Sequence, residues 1–414
     1  MNHYLTLLKA EPLLRRLSLI QLIAYFGAWF SNVAIYTLLI TMGVDATIIA
    51  MTAALHFLPG VLQAPIGGVL IDKFAPKRLM MILMITEILA TLPLMLVDDI
   101  SMLWLLFTLI FIRMSAASFY FTLEMSLLPR FLEGNTLKMA NEIHSMIWSF
   151  SYTFGMAVSG IVVYMVGVKT AFFLDAMLFV VALWLLIGAK FMVHENSDSG
   201  SLLELFRGSF VYLKKSPVVK HLIFLHAFVG FTAFDALVAL IVKEHYMQVI
   251  AVALGISLLH ASRAVGLVIG PMALSKYINN RTLPYIFLYQ GVSIIVWAFV
   301  LDDFYLSLVA SFFVGITTTL LWSYTYTLLQ QNTDKKYYGR IVSYNDMMFL
   351  LTVALISIAT GVLADAGVSL SYITMTLGAA FFVGAFYFLY IRANFTLKES
   401  GGTNDAKMPK ELEI

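Results

Sequence analysis

The sequence predicts an all-α membrane protein of twelve transmembrane helices, arranged as two pseudo-symmetric six-helix halves. Three observations carry that expectation. The 414 residues are 61% hydrophobic and only 12% charged, with a mean hydropathy of +0.89. Soluble domains carry about 25% charged residues, so this chain lacks the charge to cover a water-facing surface of its size. Twelve apolar runs each reach the ~20 residues needed to cross a bilayer core. Lys and Arg, finally, concentrate in alternate connections between those runs.

The runs follow one another closely. Span 1 covers 17–40, longer than the ~7–15-residue core of a signal peptide, and no small-residue cleavage site follows it, so it reads as a retained helix. Spans 2 and 3, at 47–71 and 79–97, are joined by a turn carrying Asp72, Lys73, Lys77 and Arg78. Span 4, at 102–128, opens after Asp98-Asp99, and spans 5 and 6 cover 141–166 and 170–192. Spans 7 to 9 cover 218–242, 250–274 and 282–301. Span 10, at 304–331, opens after Asp302-Asp303, and spans 11 and 12 cover 341–366 and 368–391. Runs of this length satisfy their backbone in lipid only as helices; barrel strands need about 9–11 residues.

With the N-terminus on the cytoplasmic side, the inner segments hold 22 of the 26 Lys and Arg, and the outer loops hold only Lys169 and Lys243. Arg113 and Arg263 lie within spans. This bias places both termini in the cytoplasm. The two aspartate pairs recur at an offset of 204 residues, which also brings Gly68-Val-Leu-Ile-Asp72-Lys73 near Pro271-Met-Ala-Leu-Ser275-Lys276. The expected division is therefore 1–192 for the first half and 218–392 for the second. Between them lies a linker, 193–217, whose Leu202, Leu203, Leu205, Phe206, Phe210 and Leu213 suggest an amphipathic surface helix. The polar tail, 393–414, is expected to be disordered.

The turn after span 2 resembles the loop between helices 2 and 3 of the major facilitator superfamily through Gly68, Asp72, Lys73, Lys77 and Arg78. Ala75 stands where that pattern has a second Gly, and Pro76 where a cation is common. Within the superfamily, several stretches look like the enterobactin-exporter-like group, also called transmembrane secretion effectors. They are Leu58-Pro59-Gly60, Leu128-Pro129-Arg130, Met139-Ala140-Asn141-Glu142, Phe172-Phe173-Leu174-Asp175-Ala176 and Gly339-Arg340-Ile341-Val342-Ser343. That group includes exporters of siderophores, drugs and metals. The exporter motif of helix 5 is degraded: Gly155-Met-Ala-Val-Ser159-Gly160 keeps the small residues without the Pro, and reads equally as helix packing at small-xxx-small spacing.

The resemblance implies a central cavity lined by spans 1, 4, 7 and 10. An ion inside a span costs ~3 kcal/mol or more, so it faces the bundle interior. Arg113 shares one face of span 4 with Ala117, Tyr120 and Glu124. It reads as a contact to an anionic substrate or a proton-carrying carboxylate, or as a structural bond within its half. Asp235 and Arg263 sit at comparable depth and read as a proton-coupled pair, as a static ion pair, or as making no contact at all. His260 lies three residues before Arg263 on the same face. Glu87 reads as a packing contact of span 3, and His56, His144 and His226 as hydrogen-bonded structure. Trp29 and Trp322 are candidates to line the cavity, as are Tyr25, Tyr36, Phe231 and Tyr326. Gly68, Asp72, Lys73, Lys77, Arg78, Glu124, Arg130 and Arg340 are expected to form the inner gate, with Asp72 facing the N-terminus of span 11.

By resemblance the chain is a secondary active transporter. The expected activity is proton-coupled export of a small amphipathic or anionic compound, a siderophore or drug, across a bacterial inner membrane by a monomer. A lysophospholipid flippase or metal-ion exporter of the same fold, and a transporter-like receptor, stand as alternatives. No cofactor is expected beyond the proton gradient, and no metal site. Cysteine is absent, no clustered nucleophile and base stands out, and no phosphate-binding loop occurs, so enzymatic readings are disfavoured. A net charge of +2 gives no nucleic-acid footprint.

Overall fold

The chain is seen in a computed structural model that describes residues 2–64, 74–189, 191, 211–334 and 337–397. Among the described residues, ten helices are long and apolar enough to cross a membrane by length and composition. One of them, within the helix Gly134–Ile187, is broken at Gly167, whose φ of 83° and ψ of 166° only glycine adopts readily. It therefore supplies two crossings. The shorter apolar helix Leu283–Phe299 supplies the remaining one, giving twelve spans. A further helix, Asn2–Ala10, precedes span 1.

Local chemistry sets many span ends. Proline occupies the first turn of spans 1, 3, 7 and 9 (Pro12, Pro76, Pro217 and Pro284), where its missing N–H removes a donor that has no helical acceptor. The aspartate pairs of the repeat act alike. Asp99 accepts from the Ser101 N–H at 2.8 Å before span 4, and Asp303 from the Leu306 N–H at 2.9 Å at the start of span 10.

In the first half, span 1 packs along the span 5–6 helix, and span 4 against spans 2 and 3. In the second, span 8 packs on span 10, and span 9 on spans 10 and 12. Spans 8 and 10 meet backbone to backbone: a Cβ on Gly270 would collide with the Ile316 carbonyl, and one on Gly315 with the Arg263 carbonyl. Small residues are what permit such approach in lipid, where helix association draws on packing rather than hydrophobicity.

The halves join mainly through two helix pairs, span 2 with span 11 and span 5 with span 8, with smaller contacts of span 2 to span 7 and span 1 to span 8. A Cβ on Gly160 would strike Ser257 and the Ala253 carbonyl, and one on Gly361 would strike Ala50 and the Ala46 carbonyl. Both contacts lie toward the face opposite the Lys/Arg-rich one. There, the Asp365 carboxylate at the end of span 11 accepts from the Ala46 N–H at 2.9 Å and the Thr47 N–H at 2.8 Å. Lys243, at the end of span 7, donates to the Val44 carbonyl at 2.6 Å. The halves are thus closed against each other on this face.

One expectation needs revision, that of a continuous span 7, and two others fall largely outside the described residues. The described part of the span 2 helix runs Ala46–Gln63; its predicted end at 71 falls among residues 65–73, which, with Gly68, Asp72 and Lys73, lie outside the described residues. Span 7 is not one straight helix: Pro217–Ala227 gives way to a 3-10 turn, Phe228–Thr232, then to Asp235–Ile241 and a π turn, Val242–Tyr246. The predicted surface helix of the linker falls mostly on residues outside those described, apart from a helical stretch at 211–215. The tail beyond 397 lies outside them too.

Candidate functional site

The break in span 7 builds the site. Where the helix unwinds, the Thr232 carbonyl loses its helical donor, and Arg263 of span 8 supplies one at 3.2 Å. The same guanidinium lies 4.9 Å from the centre of the Phe234 ring, a cation–π geometry. Asp235 begins the next helical piece and turns to His260 instead, with Oδ1 3.7 Å from Nε2. Of the readings open for Asp235 and Arg263, the structure shows the one without an ion pair between them. A straight-helix depth estimate could not anticipate that a freed carbonyl would engage the arginine.

His260 reaches across the molecule. It is fully buried, and its Nδ1 lies 3.4 Å from the Tyr152 hydroxyl on span 5 of the other half. Asp235, His260 and Tyr152 therefore form a polar string from the second half into the first. Tyr152 is held by aromatics: Trp148 stacks on it at 5.5 Å and Trp29 meets it edge-on at 4.8 Å. Trp29 in turn packs on Gly155, where a Cβ would collide with its indole, so the small residues of span 5 serve packing. Asp235 keeps 22% of its side chain exposed against none for His260, which makes the carboxylate the accessible end.

Arg113 belongs to a different arrangement. Its Nη2 donates to Asp175 Oδ2 of span 6 at 2.7 Å, and its Nε lies 3.2 Å from Glu87 Oε2 of span 3. Ser31 of span 1 donates to the same Asp175 oxygen. All partners lie in the first half, and Arg113, Glu87 and Asp175 are buried. Glu87 is thus an ionic partner rather than a generic packing contact. Asp175 went unremarked as a charge in the sequence, although a lone carboxylate inside span 6 was itself a signal.

Glu124 does not stand at a solvated gate. It is buried, accepts from the Tyr25 hydroxyl at 3.4 Å and lies 3.9 Å from His144 Nδ1. Tyr120, one turn earlier, is buried on the same face. Lys77 donates to the Ile187 and Ala189 carbonyls at 2.7 and 2.8 Å, closing the end of span 6 within its own half. Arg78 is exposed. Arg130 ends the turn Leu128–Arg130 after span 4, and Arg340 lies 5.3 Å from the Tyr337 ring centre at the start of span 11. Trp322 stacks on Tyr326 at 5.0 Å, with the His226 ring against both and His226 Nδ1 2.8 Å from the Thr325 hydroxyl. His56 Nδ1 lies 2.8 Å from the Thr52 carbonyl. Among the described residues no group of three or more His, Cys, Asp or Glu could hold a metal ion.

Two six-helix bundles, closed against each other at one face and sharing a buried polar string, define a multi-pass membrane transporter rather than an enzyme. The chain belongs to the Major Facilitator Superfamily, whose model matches residues 17–348. Comparison with curated protein sequences gave no match. Among solved structures, it is similar to an auto-inhibited POT family peptide transporter at 15% identity and a TM-score of 0.71, covering 94% of this chain and 98% of that one. The nucleoside transporter NupG is similar at 13% identity and 0.69, covering 93% and 100%. A bacterial homolog of the human lysosomal transporter Spinster, in an inward-facing and unoccupied conformation, is similar at 13% identity and 0.66, covering 92% and 95%. At such identities the likeness speaks to fold alone.

Proposed function

We propose that this protein is a proton-driven exporter of a small amphipathic, anionic compound across a bacterial inner membrane, with both termini cytoplasmic, working as a monomer by alternating access of its halves. The observation that carries this reading is the Asp235–His260–Tyr152 string between the halves. Rocking the halves must stretch or break the His260–Tyr152 contact. Adding a proton to Asp235 or His260 changes what that contact is worth, so proton occupancy and the position of the halves bias each other. Arg263, held on a backbone carbonyl and an aromatic face rather than by a carboxylate, is available to an anionic substrate group. Trp29, Trp148, Trp322 and Tyr326 supply apolar faces suited to an amphipathic ligand. The turn Gly68–Arg78, with Arg130 and Arg340, would close the Lys/Arg-rich face in the opposite state. Export as the direction, and a siderophore or drug as the cargo, rest on the resemblance in the short stretches around Pro129, Asn141 and Arg340.

The test is substrate-stimulated proton flux in proteoliposomes over a panel of siderophores, dyes and amphipathic acids. A pH gradient should drive uptake of at least one member, and Asp235→Asn should abolish that coupling. Asp235→Asn transport that stayed proton-driven would remove the carboxylate from the mechanism. Indifference of every substrate to the gradient would overturn proton coupling altogether.

A further inference from the structure

At the Lys/Arg-rich face, the start of span 9 and the end of span 12 border an open cavity of about 720 Å³, lined by Asn280, Arg281, Tyr285, Arg392, Asn394 and Phe395 among others, with no carboxylate in its wall among the described residues. Its rim is fixed. Asn280 is buried; its side-chain oxygen accepts from the Tyr324 hydroxyl at 2.9 Å, and its carbonyl from Arg392 Nη1 at 3.2 Å. Arg281 follows in a turn held by its own N–H to Asn279 Oδ1 at 2.8 Å. The Arg281 side chain makes no hydrogen bond or ion pair among the described residues. Two guanidinium groups at one polar cavity, one of them uncommitted, make a site for an anion.

The surface leading away from the cavity says which anion. Along span 9, Tyr285, Tyr289, Val292, Val296 and Phe299 are all exposed, from 38% at Tyr289 to 71% at Phe299. Their spacing, i, i+4, i+7, i+11, i+14, places them on one helical face. Span 12 runs alongside with exposed Val383, Phe386 and Tyr390. An exposed apolar face thus begins at the cavity and runs along the two spans. A free phosphate has no use for such a face; a lipid has. We propose that this cavity binds the phosphate headgroup of an anionic phospholipid in the leaflet of the Lys/Arg-rich face, Arg281 and Arg392 pairing with the phosphate while the acyl chains lie along spans 9 and 12.

Native mass spectrometry of the purified full chain, titrated with phosphatidylglycerol or phosphatidylcholine, tests this. Phosphatidylglycerol should bind preferentially, and Arg281→Gln should weaken it about fivefold, the worth of one interfacial cation. Arg281→Gln breaks no internal bond, so it tests the site without threatening the fold, whereas Arg392→Gln also loses the Asn280 contact. Arg78→Gln, an exposed cation elsewhere on the same face, should leave binding unchanged. Equal binding of both lipids, equal loss in Arg78→Gln, or displacement by inorganic phosphate alone as effective as displacement by lipid would each overturn the proposal. So would phosphatidylglycerol affinity that rises in a Glu399→Gln/Glu411→Gln/Glu413→Gln chain, because the acidic tail would then be the occupant.

Discussion

Replacing Asp365 should loosen the closed face, by an amount that follows from its geometry. Its two oxygens cap the N-terminus of span 2 at 2.9 and 2.8 Å across the boundary between the halves. Losing a side-chain cap costs about 1 kcal/mol. The carboxylate also neutralises the positive end of the span 2 helix, worth ~0.3–1 kcal/mol at an exposed position. Asp365 is exposed, so solvent screening trims the sum to about 1–2 kcal/mol. If the contact exists only while this face is closed, Asp365→Ala shifts the closed-to-open ratio by about 5- to 30-fold. Asp365→Asn keeps an acceptor and loses the charge, so it should fall between Ala and the native residue.

The chain has no cysteine, so paired labels are clean. Thr41→Cys on the first half and Val249→Cys on the second are both exposed near this face. Spin-label distance distributions should show a longer-distance population growing from native to Asn to Ala. Superimposable distributions in native and Asp365→Ala protein would refute the latch. An Asn variant as open as Ala would refute the capping part of the calculation, leaving charge alone.

Three further outcomes follow from the packing. Arg113→Ala strands Glu87 and Asp175 as buried charges and should cost about 3–5 kcal/mol, read as lost folded yield and a lower melting temperature in detergent; Glu87→Gln, which leaves one carboxylate for one guanidinium, should melt close to native. Gly270→Val should abolish folded protein, because no relaxation moves the Ile316 carbonyl out of the way, whereas Gly43→Ala in an open turn, with nothing near its Cβ, should show only a mild loss on melting from its φ of 69°. Tyr152→Phe removes the hydroxyl that meets His260 and keeps the ring stacked on Trp148; coupled proton flux should fall with little change in melting temperature.

Much of the architecture was legible because membrane burial is written one residue at a time. Hydropathy located the twelve crossings, and the two aspartate pairs announced equivalent capped starts of spans 4 and 10. What escaped was set by other helices. Glu124 sits by register near the end of span 4, which suggested water, but Tyr25 and His144 arrive from spans 1 and 5 to enclose it. Asp175 meets Arg113 across 62 residues of sequence, and no local period encodes that meeting. Span 7 looked continuous because Thr232 is the single polar residue in Phe228–Phe234; the unwinding there is stabilised by Arg263 taking the Thr232 carbonyl, a contact from span 8. The two partners of Asp365 lie 319 and 318 residues away, and only the assembled halves reveal them.

The two buried ionic arrangements differ in where their partners sit, and that difference decides their roles. Arg113, Glu87, Asp175 and Ser31 all ride on one half, so a rigid rocking motion leaves every distance among them unchanged. A group whose environment is the same in both states cannot bias the equilibrium between them. The Tyr152–His260 contact spans the halves, so its geometry changes whenever they move. On the proposed proton-driven reading, coupling therefore belongs with Asp235 and His260, whereas Arg113, bonded only to Glu87 and Asp175 of its own half, belongs with the integrity of that half. Burial made both equally conspicuous along the chain; only their placement relative to the moving boundary separates a structural charge from a working one.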